Sequence, residues 1–271
     1  MIVTLIQSDI KWADSIANQK AAEAAFYAQS QKSDLYILPE MFSTGFATKP
    51  DGIAETDDST LSWMKRMAHQ LNAAIAGSVA VRAADGTFRN RFYFVKPDGE
   101  VTYYDKHHLF TYGGEHKNYH PGDTRVIVEW RGVRFLLQVC YDLRFPVFAR
   151  NTQHPTTTIH HPTTNTHHPI PTIHSAYDAI IYVANWPDSR RRVWDILLQA
   201  RALENQCFVL GVNRVGDDNL CHYDGGTIAI DAYGKTLAKA NDNTPGPITA
   251  TLDLDRLKAF RNKFPVLSDA D

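Results

Sequence analysis

The sequence predicts an α/β protein, because apolar runs of strand length alternate with amphipathic helical spacings along most of the chain. Two bulk observations agree with that class. A chain of 271 residues can bury a substantial core, and 44% hydrophobic with 21% charged residues is the composition of an ordinary globular protein.

The elements follow in order. Ile2 to Gln7 is an apolar run that reads as the first strand. Ser15 to Gln31, rich in alanine, reads as a helix, and Leu35 to Leu38 as a second strand. Thr60 to Leu71 has helical spacing, with Ser59 or Thr60 as its cap. From Ala73 to Lys106 the period changes to three successive strands, AIAGSVAV, RFYFVKPDG and VTYYDK, turned at Asp85-Gly86 and Asp98-Gly99, a meander. A polar loop spans His107 to Asp123. The hairpin VIVEWRGVRFLLQVC turns at Arg131-Gly132 and ends on Cys140, after which Leu143 to Arg150 has room for about two helical turns. Asp178 to Ala184 is a buried strand, Arg191 to Asn205 a strongly amphipathic helix, and Cys207 to Val212 another strand. Thr227 to Ile230, Thr236 to Ala240 and Ile248 to Leu252 close the sheet together, before a short helix over Leu254 to Asn262.

Several partners and locations are disfavoured. The formal net charge is −2, without the concentrated cationic surface that nucleic-acid binding needs. The start, MIVTLIQSDIKW, reads as a strand and not as a signal peptide, and no apolar run approaches the roughly 20 residues that span a bilayer. A cytoplasmic protein is expected. Its three cysteines, Cys140, Cys207 and Cys221, have neither CxxC spacing nor the density of a disulfide scaffold, so reduced thiols are the expectation. No GxGxxG follows a first strand, which argues against hydride transfer.

One segment breaks the α/β order. Residues 154–174 divide into HPTTTIH, HPTTNTH and HPIPTIH, a heptad repeat that holds half of the chain's 12 histidines. A proline in each unit excludes a helix, and the composition is too polar for a core, so a flexible or polyproline-like excursion is expected. Such a tract could bind Zn²⁺ or Ni²⁺, but a repeat expansion or engineered insertion in a tolerant surface loop is the favoured reading. It falls between a helical segment and a strand. Its place is thus the amino ends of the strands, away from the carboxyl ends where ligands of α/β sheets gather.

At those carboxyl ends stand Glu40 after LYILP, Lys106 after VTYYD, Cys140 after LLQV, and Asn185 and Trp186 after IIYVA. Singly, each has a bland explanation: a loop acid, a surface lysine, a small buried thiol. Together they supply a base, a cation and a nucleophile, the set needed for acyl transfer through a thioester. A free thiol is only a few per cent ionised at neutral pH and gains from a neighbouring base and positive charge. Glu40 is placed to take the thiol proton, and Lys106 to stabilise the oxyanion. The backbone N–H of Tyr141 is a second oxyanion donor by analogy with strand-to-helix nucleophile turns.

ILPEMF, YYDKHHLF, VCYDLRFP and VANWP strongly resemble the nitrilase superfamily of carbon-nitrogen hydrolases. CYDLRFP with VANWP, ARALENQ and CHYDGG looks more narrowly like bacterial ω-amidases acting on 2-oxoglutaramate. The resemblance runs from about Ile2 to Asp271, and the histidine repeat departs from it. It implies one hydrolase domain over 1–271 with an insertion at about 151–174, folded as a four-layer α-β-β-α sandwich. It also implies Glu40 as proton acceptor, Lys106 as oxyanion stabiliser, Cys140 as nucleophile, no cofactor, no resident metal, and a homodimer. A second glutamate of the family's pattern matches Glu115, which would position Lys106 or the hydrolytic water.

The implied substrate is a small 2-oxo dicarboxylic monoamide. Its free carboxylate calls for an arginine, with Arg144, Arg190, Arg191 and Arg192 as candidates by location, and Tyr141 and Trp186 as pocket walls or core. An aliphatic amidase, an N-carbamoyl amide hydrolase, a nitrilase, or a histidine-rich metal-binding module on an inactive scaffold are the alternatives. Cys207 and Cys221 read as structural or incidental. Substitution of Lys106 or Glu40 is expected to depress turnover while leaving the fold intact.

Overall fold

A computed structural model describes residues 1–29, 31–152, 157–160 (backbone only) and 176–269. The strands are β1 (Ile2–Gln7), β2 (Leu35–Ile37), β3 (Ala74–Arg82), β4 (Phe88–Val95), β5 (Val101–Asp105), β6 (Arg125–Trp130), β7 (Val133–Val139), β8 (Thr157–His160), β9 (Ala179–Val183), β10 (Phe208–Val212), β11 (Val215–Asp217), β12 (His222–Asp224), β13 (Ile228–Ile230), β14 (Thr236–Lys239) and β15 (Gly246–Thr251). The helices are α1 (Ser15–Tyr27), α2 (Ser59–Leu71), α3 (Arg191–Glu204) and α4 (Leu254–Lys263).

Two sheets face each other. One has the order β15-β1-β2-β3-β4-β5 and the other β14-β13-β10-β9-β7-β6-β8. The period-2 alternation of β1, β2, β3 and β4 sends Val3, Leu5, Leu35, Ile37, Ala76 and Phe94 into one core with the second sheet, where the Phe94 and Phe135 rings lie 6.0 Å apart. The opposite face of the first sheet carries Tyr36, Ile75 and Tyr93, which pack on Ala22 and Phe26 of α1 and on Trp63, Met64 and Met67 of α2. Beyond the second sheet, Trp194, Leu198 and Ala202 of α3 close the core. Gly211 permits that approach, since a Cβ there would stand 2.5 Å from Leu198 Cδ1. The result is the expected α-β-β-α sandwich.

The meander of β3, β4 and β5 is antiparallel throughout. Several local expectations are corrected. β15 does not join β13 and β14 but crosses to the other sheet, pairing antiparallel with β1. α1 ends at Tyr27, short of Gln31, and is capped by Asp14, which accepts the Ala17 N–H at 3.0 Å. α2 is capped neither by Ser59 nor by Thr60. Asp57 accepts the Ser59 N–H (3.2 Å) and Glu55 the Thr60 N–H (3.0 Å), two carboxylates placed where the helix dipole favours them. The two helical turns expected over 143–150 are short 3₁₀ turns, Cys140–Arg144 and Val147–Ala149. Pro146 keeps Phe145 out of the helical region (φ −114°, ψ 88°) and separates them.

Thr157–His160 is a strand paired in parallel with β6, not polyproline. Its run of Thr and Ile contains no proline and suits a sheet edge. The remainder of the repeat, and its metal-binding reading, lie outside the described residues. The residues flanking the insertion meet: Asn151 Oδ1 accepts the Tyr177 N–H at 3.0 Å and its Nδ2 donates to the Tyr177 carbonyl at 3.1 Å. This junction stands at the amino end of β9, the end remote from Cys140. Among the described residues no helix is long and apolar enough to cross a membrane.

Candidate active site

Glu40, Lys106, Cys140 and Asn185 follow β2, β5, β7 and β9 respectively, so each sheet supplies two of them. The parallel pairing of β7 with β9, Val139 opposite Val183, brings the last two to one rim. The structure gathers the acid, the amine and the thiol. Lys106 Nζ lies 3.0 Å from Glu40 Oε1 and 2.9 Å from Glu115 Oε2, and all three side chains are fully buried. Asn90 Nδ2 donates to both carboxylates, at 2.8 Å to Glu40 and 3.2 Å to Glu115. The Asn185 N–H donates to Glu40 Oε2 at 2.9 Å, the Asn185 Nδ2 to the Glu40 carbonyl at 2.6 Å, and the Phe110 N–H to Glu115 Oε2 at 2.6 Å. The Cys140 thiol stands close enough to this set for Glu40, Lys106 and Glu115 all to act on its charge.

These contacts set the charges. Burial alone would lower the Lys106 pKa, but Glu115 and Glu40 reverse that and hold it above its ordinary value. Burial pushes the Glu115 carboxyl up, against the pull of Lys106. Burial also pushes the Cys140 thiol well up, the Glu40 carboxylate pushes it further, and Lys106 opposes both. With burial, Glu40 and Glu115 opposing it and Lys106 favouring it, the surroundings weigh against a standing thiolate.

The raised thiol pKa has a sign that can be measured. A folded-state pKa above the unfolded value, about 8.5 for cysteine, contributes stability present below that pH and lost as pH rises through the folded value. Alkylation of Cys140 by iodoacetamide should accordingly keep accelerating at pH values where a free thiol has levelled off. A plateau near pH 8.5 would contradict this.

Cys140 itself sits at φ +46°, a left-handed conformation that a side chain disfavours by roughly 1–2 kcal/mol. The turn is held by Asp142, which sequence reasoning missed. Its buried carboxylate accepts the Val139 N–H (2.9 Å), the Tyr104 hydroxyl (2.8 Å), the His108 N–H (3.0 Å) and His108 Nδ1 (2.8 Å). The His108 ring in turn stacks on Phe145 at 3.8 Å.

A cavity of about 250 Å³ opens over Cys140, walled by Phe46, Phe110, Tyr141 and Trp186 and reached by Arg144 and Arg190. Tyr141 meets Phe110 edge-on at 5.2 Å, and Trp186 is fixed by donating its Nε1–H to the Arg190 carbonyl at 2.8 Å. Of the remaining arginine candidates, Arg191 is committed elsewhere: its guanidinium lies 2.9–3.0 Å from Asp195, Asp224 and Asp242. Arg192 is exposed on α3, outside the cavity wall. Cys207 is fully buried at the start of β10. Cys221 is not in the core. It lines the cavity, in the turn of the β11–β12 ribbon that the sequence did not reveal.

Lys106→Ala would leave Glu40 and Glu115 buried without their cation. Removing one member of such a pair costs about 3–5 kcal/mol, so a lower urea midpoint is expected, contrary to the expectation of an intact fold. A midpoint unchanged from wild type would contradict the buried three-charge arrangement.

The α-β-β-α sandwich thus seals a thiol, two carboxylates and an ammonium together at its strand ends. The chain belongs to the carbon-nitrogen hydrolase family, whose model, described as Carbon-nitrogen hydrolase, matches residues 2–262. It is 42% identical to the omega-amidase YafV of Yersinia enterocolitica, over 99% of this chain and 96% of that one. It is 31% identical to the 2-oxoglutaramate amidase of Bacillus subtilis, over 98% and 96%. Among solved structures, XC1258 from Xanthomonas campestris, a CN-hydrolase superfamily protein with an arsenic adduct in its active site, superposes with a TM-score of 0.89 at 38% identity, covering 100% of this chain and 97% of that one.

Proposed function

We propose that this hydrolase cleaves the terminal amide of a small 2-oxo dicarboxylic acid monoamide, such as 2-oxoglutaramate, to the acid and ammonia through a thioester on Cys140. The observation that carries the chemistry is the juxtaposition of Cys140 with the paired Glu40 and Lys106 at a small cavity. The names of the two amidase relatives support the substrate.

In the first half-reaction the Cys140 sulfur attacks the amide carbonyl as Glu40 takes the thiol proton. The oxyanion that forms is met by Lys106 Nζ and the Tyr141 N–H. The C–N bond then breaks, and Glu40 returns its proton to the leaving nitrogen, which departs as ammonia. In the second half a water gives a proton to Glu40 and attacks the thioester carbonyl. The C–S bond breaks, the acid leaves, and Glu40 reprotonates the sulfur. Glu115 positions Lys106, holding the ammonium between two carboxylates, and the amides of Asn90 and Asn185 orient Glu40. We read the chain as one hydrolase domain interrupted by the histidine repeat.

The test is ammonia release from 2-oxoglutaramate, compared with neutral aliphatic amides, N-carbamoyl amides and nitriles. The reading requires kcat/KM to be highest for 2-oxoglutaramate. A preference for nitriles or N-carbamoyl compounds would replace it.

A further inference from the structure

We infer that the Asp142 carboxylate is a strut that holds the two oxyanion donors, Lys106 Nζ and the Tyr141 N–H, in register with each other across the two sheets, and that Tyr104 and His108 are positioning residues acting through it. The inference rests on the thioester route proposed for Cys140 and adds what fixes the geometry around the attacked carbonyl.

The two donors come from different sheets. Lys106 follows β5, the edge strand of the six-stranded sheet, whereas Tyr141 follows β7 of the seven-stranded sheet. An oxyanion met by both gains only if their spacing is set before the reaction starts. Asp142 bonds to both sides. Its Oδ2 accepts the Val139 N–H at 2.9 Å, which closes a ring of backbone around Cys140 and Tyr141, the residues that supply the sulfur and the oxyanion N–H. The same oxygen accepts the Tyr104 hydroxyl at 2.8 Å, and Oδ1 accepts the His108 N–H at 3.0 Å and His108 Nδ1 at 2.8 Å. Tyr104 stands two residues before Lys106 and His108 two residues after it. The lysine is therefore held on both flanks by the carboxylate that shapes the nucleophile turn.

Further contacts stiffen this link. The Tyr104 hydroxyl also accepts the His107 N–H at 2.9 Å. The His107 ring stacks on Phe148 at 4.4 Å and the His108 ring on Phe145 at 3.8 Å, so both residues after the lysine press on the segment that leaves the nucleophile turn. A mere cap of the 3₁₀ turn would need only the Val139 bond; the other three go to the lysine arm. The Asp142 and Tyr104 side chains are buried, where charge-assisted bonds hold their geometry best. Asn185 also joins the sheets through Glu40, but it touches the base and neither oxyanion donor.

The experiment compares kcat and KM for 2-oxoglutaramate with the rate of Cys140 alkylation by iodoacetamide, followed by peptide mass mapping, in wild type and in Asp142→Asn, Tyr104→Phe, His108→Leu and His108→Asn. Alkylation displaces iodide from a saturated carbon and develops no oxyanion, so it reports a folded site and a reactive sulfur without using the two donors. Misplacing a reacting group by ~1 Å costs ~100-fold, so kcat of Asp142→Asn should fall by about that factor, with KM and the alkylation rate within ~3-fold of wild type. Tyr104→Phe and His108→Leu each remove donors and keep the carboxylate, which predicts a loss of roughly 10-fold in kcat. These two carry the test if Asp142→Asn does not fold. His108→Asn places an amide N–H near the position of Nδ1 and should recover most of the loss. A parallel fall of kcat and alkylation would mean that these residues only maintain the fold, and would overturn the strut. So would wild-type kcat in Asp142→Asn, or a His108→Asn no better than His108→Leu. Each of those results leaves the thioester route standing. Absence of ammonia release by wild type from any amide would overturn that route, and the strut with it.

Discussion

Cys140→Ala is expected to lower kcat for amide hydrolysis by ~10⁴-fold or more, on the scale seen when a covalent nucleophile is removed, while the protein stays folded. The geometry explains why the second half of that statement holds. Glu40 loses the neighbouring thiol, yet keeps Asn90 Nδ2 at 2.8 Å, Lys106 Nζ at 3.0 Å and the Asn185 N–H at 2.9 Å. The carboxylate therefore remains in place with its charge compensated, and the substitution removes one sulfur without leaving a charge or donor unpaired. Ammonia release measured beside a urea denaturation curve checks both parts. Appreciable turnover by the alanine variant would mean that water attacks the amide directly.

Glu40→Gln should be nearly as severe for a different reason. Glu40 is assigned every proton transfer of the cycle, and a positioned acid-base group contributes roughly 10²- to 10⁴-fold. The substitution is not isosteric in its hydrogen bonding. Oε1 of Glu40 accepts from Asn90 and Lys106, and Oε2 accepts from the Asn185 N–H. An amide there has to point its NH₂ at a donor on one side or the other. The least costly arrangement keeps the carbonyl toward Lys106 and turns the NH₂ against the Asn185 N–H, orphaning a buried donor at a cost of about 1–3 kcal/mol. A fall in kcat together with a modest fall in the denaturation midpoint is thus expected. Near-normal activity would remove Glu40 from its alternating acid-base role.

The parts of this arrangement that could be read from the sequence are those where a pattern stops. LYIL, VTYY and LLQV are apolar runs, each followed abruptly by residues with chemistry, so Glu40, Lys106 and Cys140 could be placed at strand ends. Asn90 gives no such signal. It lies within β4 in the run RNRFYFV and looks like an outward polar position, but its side chain is buried between two glutamates. Asp142 was hidden too, because a carboxylate after the nucleophile looks like any loop acid until Tyr104 and His108 arrive from 34 or more residues upstream. Cys221 reaches the cavity on a two-stranded ribbon of three residues per strand, too short to show a period. The crossing of β15 to the first sheet is a matter of long-range register, which local patterns do not encode.

The most direct measurement is rapid acid quenching of wild-type enzyme turning over saturating 2-oxoglutaramate, followed by peptide mass mapping. The account predicts an added acyl group on the peptide bearing Cys140 during turnover, and none on that peptide in Cys140→Ala. An acyl group found instead on Cys221, or no acylated peptide while ammonia is being released, would contradict it.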